Sequence, residues 1–346
     1  MNSTHPSKPL TLLVTGGAGF IGSNFIWHWL QKYPEDTVRN LDSLTYAGTL
    51  ENLRSVESMP SYSFIQGNIT DRVLVDKAMQ GVAVVVHFAA ETHVDRSIRN
   101  PQIFLETNVI GTQVLLDAAL KHKVERFHHI STDEVFGTLE LGETKKFNET
   151  TPYNPRSPYA ASKAASDHLV RAYGETYDLP YSISNCSNNY GPHQFPEKLI
   201  GLAITNAIEG LPVPVYGDGK QVRDWLYVLD HCSAIEKIIL SEQSNTTFLV
   251  GGETKDTSNL EIVTHILSLM NLPESSIEYI ADRPGHDRKY SVDWSYIRDT
   301  LDWKPSVTLA EGLKKTIIWY KENEDWWRPL KEKNKAYFKT QYQSKK

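Results

Sequence analysis

A chain of 346 residues, 40% of them hydrophobic, holds enough apolar material for two modest domains or one large domain with an appendage. Its net charge of −6 supplies no basic field for nucleic acid or an anionic membrane surface. The N-terminal MNSTHPSKPL lacks the apolar core of a signal segment, and the longest apolar run, VAVVVHFAA, is too short to span a bilayer.

The elements then follow in order. TLLVTG is a short apolar run that stops at glycine, and FIGSNFIWHWLQKY after it carries apolar residues at helical spacing. TVRNLD, SFIQGN, AVVVHFAA, RFHHIST and YSISNCSN read as five further strands. Between several of them lie the helical patterns DRVLVDKAMQ, FLETNVIGTQVLLDAALKHK and SPYAASKAASDHLVRAYGETY. Apolar strands alternating with amphipathic helices predict an α/β fold, a doubly wound and mostly parallel sheet of Rossmann type. From about residue 190 the pattern breaks into shorter elements and loops rich in proline and glycine. The expectation is a dinucleotide-binding domain over 8–190 and a smaller α+β substrate lobe over 191–330, the chain crossing between them. The lysine-rich stretch after Trp327 reads as a solvated end. Cys186 and Cys232 form neither a metal spacing nor a disulfide framework, so a reducing, cytoplasmic setting is expected. The histidines, His128 and His129 included, show no metal-ligand pattern, and no metal is expected.

TGGAGFIG places Gly16, Gly19 and Gly22 between a strand and a helix. Such a turn lets the backbone approach a pyrophosphate, whose charge the helix N-terminus stabilises. Asp42 ends the next strand, where a carboxylate reaches an adenosine ribose and repels the extra phosphate of NADP, so NAD is the expected cofactor. Arg39 precedes it in the same strand. Tyr159 and Lys163 form Y-x-x-x-K, four apart and so on one helix face. Alone they are more simply an ordinary surface pair. Downstream of a dinucleotide turn they read as a phenol whose pKa an ammonium lowers, able to take a proton from an alcohol while hydride leaves the same carbon. Thr132 is placed to hydrogen-bond that alcohol, or simply to cap a turn. Asp133 and Glu134 are adjacent carboxyls where a buried strand ends; in unequal environments one stays protonated and the other ionised, which suits an acid and a base.

TGGAGFIG, YAASK and SNNYGP together resemble the extended short-chain dehydrogenase/reductases that act on nucleotide sugars. AAETHVDRSI, STDEVFG, NNYGPHQFPEKLI, VYGDGKQVRDWLYVLDH and DRPGHDRKYS narrow the resemblance to the dTDP-glucose 4,6-dehydratase family, over about residues 10 to 305. The resemblance implies oxidation at carbon 4, loss of water across carbons 5 and 6, and return of hydride to carbon 6. Asp133 is then the acid and Glu134 the base, with Tyr159 the base for oxidation, assisted by Lys163 and Thr132. It implies cofactor contacts from Gly16, Gly19, Phe20, Ile21 and Gly22, from Asp42, Ser43, Leu44 and Thr45, and from Asn68 and Ile69. Further contacts fall to Phe88, Ala89, Ala90, Thr92 and Thr107, beside Tyr159 and Lys163. For the nucleotide sugar it implies Thr92, Thr132, Asn188, Lys198, Leu199, Pro214, Tyr216, Arg223 and His286. A lone reading of Arg223 is a surface ion pair with Asp224; its fork also suits a diphosphate. Two positions depart from the family pattern. Asn68 stands where it usually has aspartate, and Thr254 where it commonly has asparagine, which leaves the nucleotide base open among dTDP, UDP, CDP and GDP. A nucleotide-sugar 4-epimerase shares the fold, NAD, tyrosine and lysine but needs no acid at carbon 6. A non-catalytic NAD-binding regulator has no use for the whole constellation. The family implies a homodimer packed through helices near 101–122 and 159–178, where the alanines of YAASKAAS permit close approach.

Overall fold

The computed structural model describes residues 5–253, 256–282 and 285–335. Its centre is a seven-stranded sheet. Strands β1 (Thr11–Thr15), β2 (Thr37–Asp42), β3 (Tyr62–Gln66), β4 (Val84–His87), β5 (Arg126–Thr132) and β6 (Tyr181–Cys186) are the six that the apolar runs predict. The seventh, Thr246–Val250, comes from beyond residue 190 and pairs with β6, placing Val250 opposite Cys186. The spatial order is Thr246–Val250, β6, β5, β4, β1, β2, β3, and every pairing is parallel. Strand order reverses between β1 and β4, so the ends of these strands open a crevice there.

Both faces are covered, as parallel sheets require. One face packs Phe25, Ile26 and Trp29 of helix Phe20–Lys32 with Val228, Cys232 and Ile235 of helix Val228–Leu240. The other packs Leu115, Leu116 and Ala119 of helix Thr112–His122 with Val170 of helix Pro158–Tyr177. Truncating one such side chain, Phe127 for example, costs about 3–5 kcal/mol. The lobes are therefore not contiguous in sequence: residues 228–250 return to the first. The second lobe has its own core, where helices Leu199–Glu209, Asn259–Leu269 and Leu309–Glu322 pack around Ile204, Ile266 and Tyr320.

Residues 101–122 form one rod in three parts: Pro101–Phe104 is α-helical, Leu105–Gly111 is π-helical and Thr112–His122 is α-helical. By length and composition alone this rod is apolar enough to cross a bilayer, but half of its apolar window is buried in the protein. Of the lysine-rich stretch read as a solvated end, residues 336–346 lie outside the described ones, and residues 328–335 are exposed or half-buried. Helix Glu324–Lys333 continues through it, and Lys331 donates to Asn206 Oδ1 (2.6 Å) and Glu209 Oε2 (2.5 Å). Trp326 of this helix donates to Asn52 Oδ1 (2.8 Å), and Asn52 in turn donates to the Ala18 carbonyl (2.9 Å), tying the last helix among the described residues to the first glycine turn.

Candidate active site

A cavity of about 720 Å³ lies between the lobes at the strand ends. At one end is the glycine turn. Gly16 has φ +72°, and a Cβ there would meet the Ala89 backbone nitrogen at 2.6 Å; a Cβ on Gly22 would meet the Gly16 carbonyl at 2.5 Å. Only glycine lets β1, the turn and the strand-end residues Phe88–Ala90 close this tightly. The first turn of helix Phe20–Lys32, with Phe20, Ile21 and Gly22, lines the cavity and aims its free N–H groups along the helix axis. Asp42 accepts from Ala18 N (2.9 Å) and Leu44 N (2.8 Å), which holds its carboxyl at the rim, and burial raises its pKa. Arg39 is turned away, donating to the carbonyls of Ala78 and Gln80. Ser43, Thr45, Asn68, Ile69, Phe88, Ala89, Ala90, Thr92 and Thr107 complete this end. Leu44 differs: with φ 51° it shapes the turn and packs against the core beneath, outside the cavity lining. Asn68 Oδ1 accepts from the backbone and hydroxyl of Thr70, both at 3.0 Å, closing the turn after β3. The cradle, the helix end and the carboxylate together fit a dinucleotide.

At the centre are Thr132, Asp133, Glu134, Tyr159 and Lys163, all lining the cavity. A one-turn 3₁₀ helix, Asp133–Phe136, turns the chain as β5 ends. It buries Asp133 to 1% exposure and leaves Glu134 half-buried. Burial drives the Asp133 carboxyl well above the usual carboxylate range; the charges of Glu134 and Asp224 push the same way, against Arg223 and a hydrogen bond from Thr132. The two neighbours thus occupy unequal environments, as the acid–base reading requires.

The tyrosine departs from its expected behaviour. Burial pushes the Tyr159 phenol well above its ordinary range, Glu134, Cys186 and Asp133 add to this, and a hydrogen bond with Thr132 opposes it. Lys163 does not offset these effects, because its ammonium donates to the Ile130 carbonyl (2.8 Å) and lies 3.3 Å from His129 Nε2. Burial lowers that ammonium to about 8. Behind it, Asp167 sits 3.2 Å from His129 and accepts from Ser131 and Tyr153, both at 2.8 Å.

At the far end Asn188, Lys198, Leu199, Pro214, Tyr216, Arg223 and His286 line the cavity from the second lobe. Asn188 Oδ1 is buried without a hydrogen-bond partner, a polar atom prepared for a ligand. Arg223 is no surface ion pair: it is buried, donates to the carbonyls of Val222 (2.8 Å) and Asp287 (3.1 Å), and lies 4.3 Å over the Tyr290 ring. The His286 ring bonds Asp282 Oδ1 (2.6 Å) and meets Tyr216 edge-on. Thr254 lies outside the described residues. Among the described residues no cluster of His, Cys, Asp and Glu forms a metal site.

A family model described as GDP-mannose 4,6 dehydratase matches residues 13–316. A dTDP-glucose 4,6-dehydratase of Xanthomonas campestris pv. campestris is 50% identical over 336 residues, covering 91% of this chain and 94% of its own. Another, of Mycobacterium tuberculosis, is 48% identical over 330 residues, covering 95% and 98%. The solved structure of DesIV, a dTDP-glucose 4,6-dehydratase from Streptomyces venezuelae with NAD and TYD bound, superimposes with a TM-score of 0.90 at 46% identity, over 93% of this chain and all of that one. This chain belongs to the dTDP-glucose 4,6-dehydratase family.

Three features of this dehydratase-family site escape a reading of the sequence. Asn108, in the π-helical segment, accepts from Glu91 N (2.8 Å) and donates to the Glu91 carbonyl (3.0 Å) and Ser162 Oγ (2.8 Å), joining a cavity loop to the helix of Tyr159. Glu91 and Glu197 line the cavity with their pKa values raised by burial. Arg96 reaches Glu197 at 3.3 Å and covers the Tyr46 ring at 3.7 Å. Glu91, Arg96 and Glu197 have one sequence signal, their place inside the long motifs that carry the family resemblance; Asn108 lies in none of those motifs.

Proposed function

We propose that this protein is an NAD-dependent hydro-lyase that converts dTDP-glucose to dTDP-4-keto-6-deoxyglucose and water. The observation that carries the reading is the pair Asp133 and Glu134, one sealed with its carboxyl pKa raised by burial, the other half-open, beside Tyr159. When bound, the nicotinamide supplies a hydride acceptor for carbon 4, a hydride donor for carbon 6 and a positive charge beside the phenol.

The protein's own groups move the protons. Tyr159 takes the proton of the 4-hydroxyl, with Thr132 in hydrogen-bond reach of the same oxygen and Lys163 behind it. The ketone at carbon 4 acidifies carbon 5, and Glu134 removes that hydrogen. Asp133 gives its proton to the 6-hydroxyl, which leaves as water. Glu134 then returns its proton to carbon 5. Arg223, Asn188 and Lys198 hold the diphosphate and its sugar, and Tyr216, Pro214 and His286 hold the nucleoside end. A 4-epimerase needs the tyrosine and lysine alone; a buried carboxyl with a raised pKa at the strand end gives it nothing.

The test is incubation with dTDP-, UDP-, CDP- and GDP-hexoses, with product masses measured. A loss of 18 mass units, largest for dTDP-glucose, is expected. The purified protein is expected to carry NAD, and no NADH accumulates in the medium; stoichiometric NADH would mark a simple dehydrogenase instead.

The same reading holds that the enzyme is a cytoplasmic homodimer. Support for the dimer comes from Leu105 on the 101–122 rod and Tyr177 at the end of the neighbouring helix, both exposed, whereas Ile103 and Ile110 line the cavity. Ala160 and Ala164 are buried within the protomer, whereas Ala161 is exposed and Ala165 half-buried, which leaves room for close approach there. Support for the compartment comes from Cys186 and Cys232, both free thiols. Leu105→Asp is expected to shift the light-scattering mass from that of two chains to one; an unchanged mass would remove this face from the interface.

A further inference from the structure

The glycine turn is held from behind. Ala18, in its middle, is fully buried and lies outside the cavity lining. Its carbonyl accepts from Thr49 N (3.1 Å) and from Asn52 Nδ2 (2.9 Å). A carbonyl oxygen has two acceptor sites, and here both are filled. On the other side of the same residue, Ala18 N donates to Asp42 Oδ2 (2.9 Å). A carbonyl swung toward the cavity would set its negative end against a pyrophosphate and spoil the aim of the N–H groups of Phe20 and Ile21. The turn's pyrophosphate-binding form therefore depends on which way one peptide plane faces.

Asn52 is itself oriented from the other lobe. It is buried in the one-turn 3₁₀ helix Leu50–Leu53, and its Oδ1 accepts from Trp326 Nε1 (2.8 Å). An indole N–H only donates and a backbone carbonyl only accepts. One setting of the Asn52 amide satisfies both, with oxygen toward Trp326 and nitrogen toward Ala18. Trp326 is fixed in turn by the second lobe. Its ring meets Trp319 edge-on at 4.9 Å and His193 at 5.8 Å. The next residue, Trp327, is fully buried and donates to the Tyr320 carbonyl (2.8 Å). We propose that Asn52 and Trp326 are positioning residues for the cofactor, through which helix Glu324–Lys333 of the second lobe locks the glycine turn in its pyrophosphate-binding form.

This role rests on NAD occupying the cradle and not on the sugar chemistry, and neither residue lines the cavity. Without the Trp326 donor the Asn52 amide is free to turn. The glycine turn then spends part of its time in forms that do not bind, and NAD affinity falls by that fraction. The coupling is reciprocal: a helix that favours one form of the turn is favoured by a ligand that binds that form. A second link between turn and lobe runs from Asn24 Nδ2 to the carbonyls of Phe20 (2.9 Å) and Pro192 (3.0 Å). It acts on the helix after the turn and does not touch the Ala18 peptide, so it limits the loss without replacing Asn52.

The test measures NAD affinity by calorimetry on the full chain, freed of cofactor, for wild type, Asn52→Leu, Trp326→Phe and the double variant. Phenylalanine keeps an aromatic ring against Trp319 and His193 and removes the N–H donor. Each single variant should weaken NAD binding by about three- to tenfold. The double variant should lose no more than Asn52→Leu alone, because Trp326 acts through Asn52. Hydrogen-exchange mass spectrometry gives a readout that a merely structural role does not move. In wild type, NAD should slow exchange over residues 324–333; in Asn52→Leu this protection should fall, while NAD's effect on helix Asn259–Leu269 stays as in wild type. NAD affinity within about twofold of wild type in both single variants overturns the proposal, whatever happens to the melting temperature. So does an additive loss in the double variant, or NAD protection of 324–333 that survives Asn52→Leu. Should Asn52→Leu fail to fold, Trp326→Phe carries the affinity and exchange measurements alone, with the same expected and overturning results. Wild type that takes up no NAD overturns the cofactor assignment and this role together.

Discussion

Asp133→Asn and Glu134→Gln are each expected to slow loss of water by about 10²–10⁴-fold while leaving oxidation at carbon 4 in place. Both substitutions keep shape and remove proton transfer. Asparagine suits the Asp133 site well, since burial disfavours the charged carboxylate there, so folding should be little disturbed and the loss should be chemical. The two variants should part company on one readout. In deuterated solvent, exchange of the carbon-5 hydrogen should fall sharply in Glu134→Gln, whose base is gone. It should persist in Asp133→Asn, which lacks only the acid for the leaving group. Rapid-quench mass spectrometry, with bound NADH followed by its absorbance, checks both. Water loss at the wild-type rate in both variants would reduce the pair to a structural feature. Failure of both to form NADH would show that the carboxyls also organise the oxidation.

Tyr159→Phe is expected to lose oxidation by a similar factor and to keep its fold, NAD and nucleotide-sugar binding. Phenylalanine fills nearly the same volume, so the loss should be chemical and the fold should be kept. A single turnover that forms bound NADH at close to the wild-type rate would take the base role away from Tyr159. The burial that raises this phenol means phenolate becomes accessible only when positive charge arrives beside it. The pH dependence of single-turnover oxidation should therefore follow a much lower apparent pKa with NAD in place than titration of the cofactor-stripped protein.

The first half of the fold is legible in the sequence because its signals are local. Each of β1 to β6 is an apolar run bounded by glycine, asparagine or a helix, and the glycine turn announces its own neighbours. TTFLV at 246–250 is as apolar as SFIQ, but it stands alone among short loop-like elements. Its membership of the sheet rests on pairing with β6, some sixty positions earlier, which no local pattern encodes. The second lobe uses two- and three-residue strands such as Val222–Arg223 and Trp225–Tyr227, too short for alternation to register. At the site, residue identities were readable and electrostatics were not. The sequence places Lys163 one turn from Tyr159, yet the depth of both and the pull of the Ile130 carbonyl decide which charge reaches the phenol. Arg223 lies next to Asp224 in the chain, but its guanidinium is held by the carbonyls of Val222 and Asp287. Adjacency in sequence was a poor guide wherever a partner came from another loop.

The late arrival of strand Thr246–Val250 also bears on how the chain is made. Until it emerges from the ribosome, β6 is the sheet's outer strand, with a row of unpaired N–H and C=O groups on one side and six residues that the finished protein buries completely. A nascent chain that ends at residue 190 looks complete by motif, with the glycine turn, Tyr159 and Lys163 all present. It nonetheless carries an adhesive edge and lacks helix Val228–Leu240 over one sheet face. Expression of 1–190 as a stand-alone cofactor domain should give aggregates, and extension through residue 250 should restore solubility.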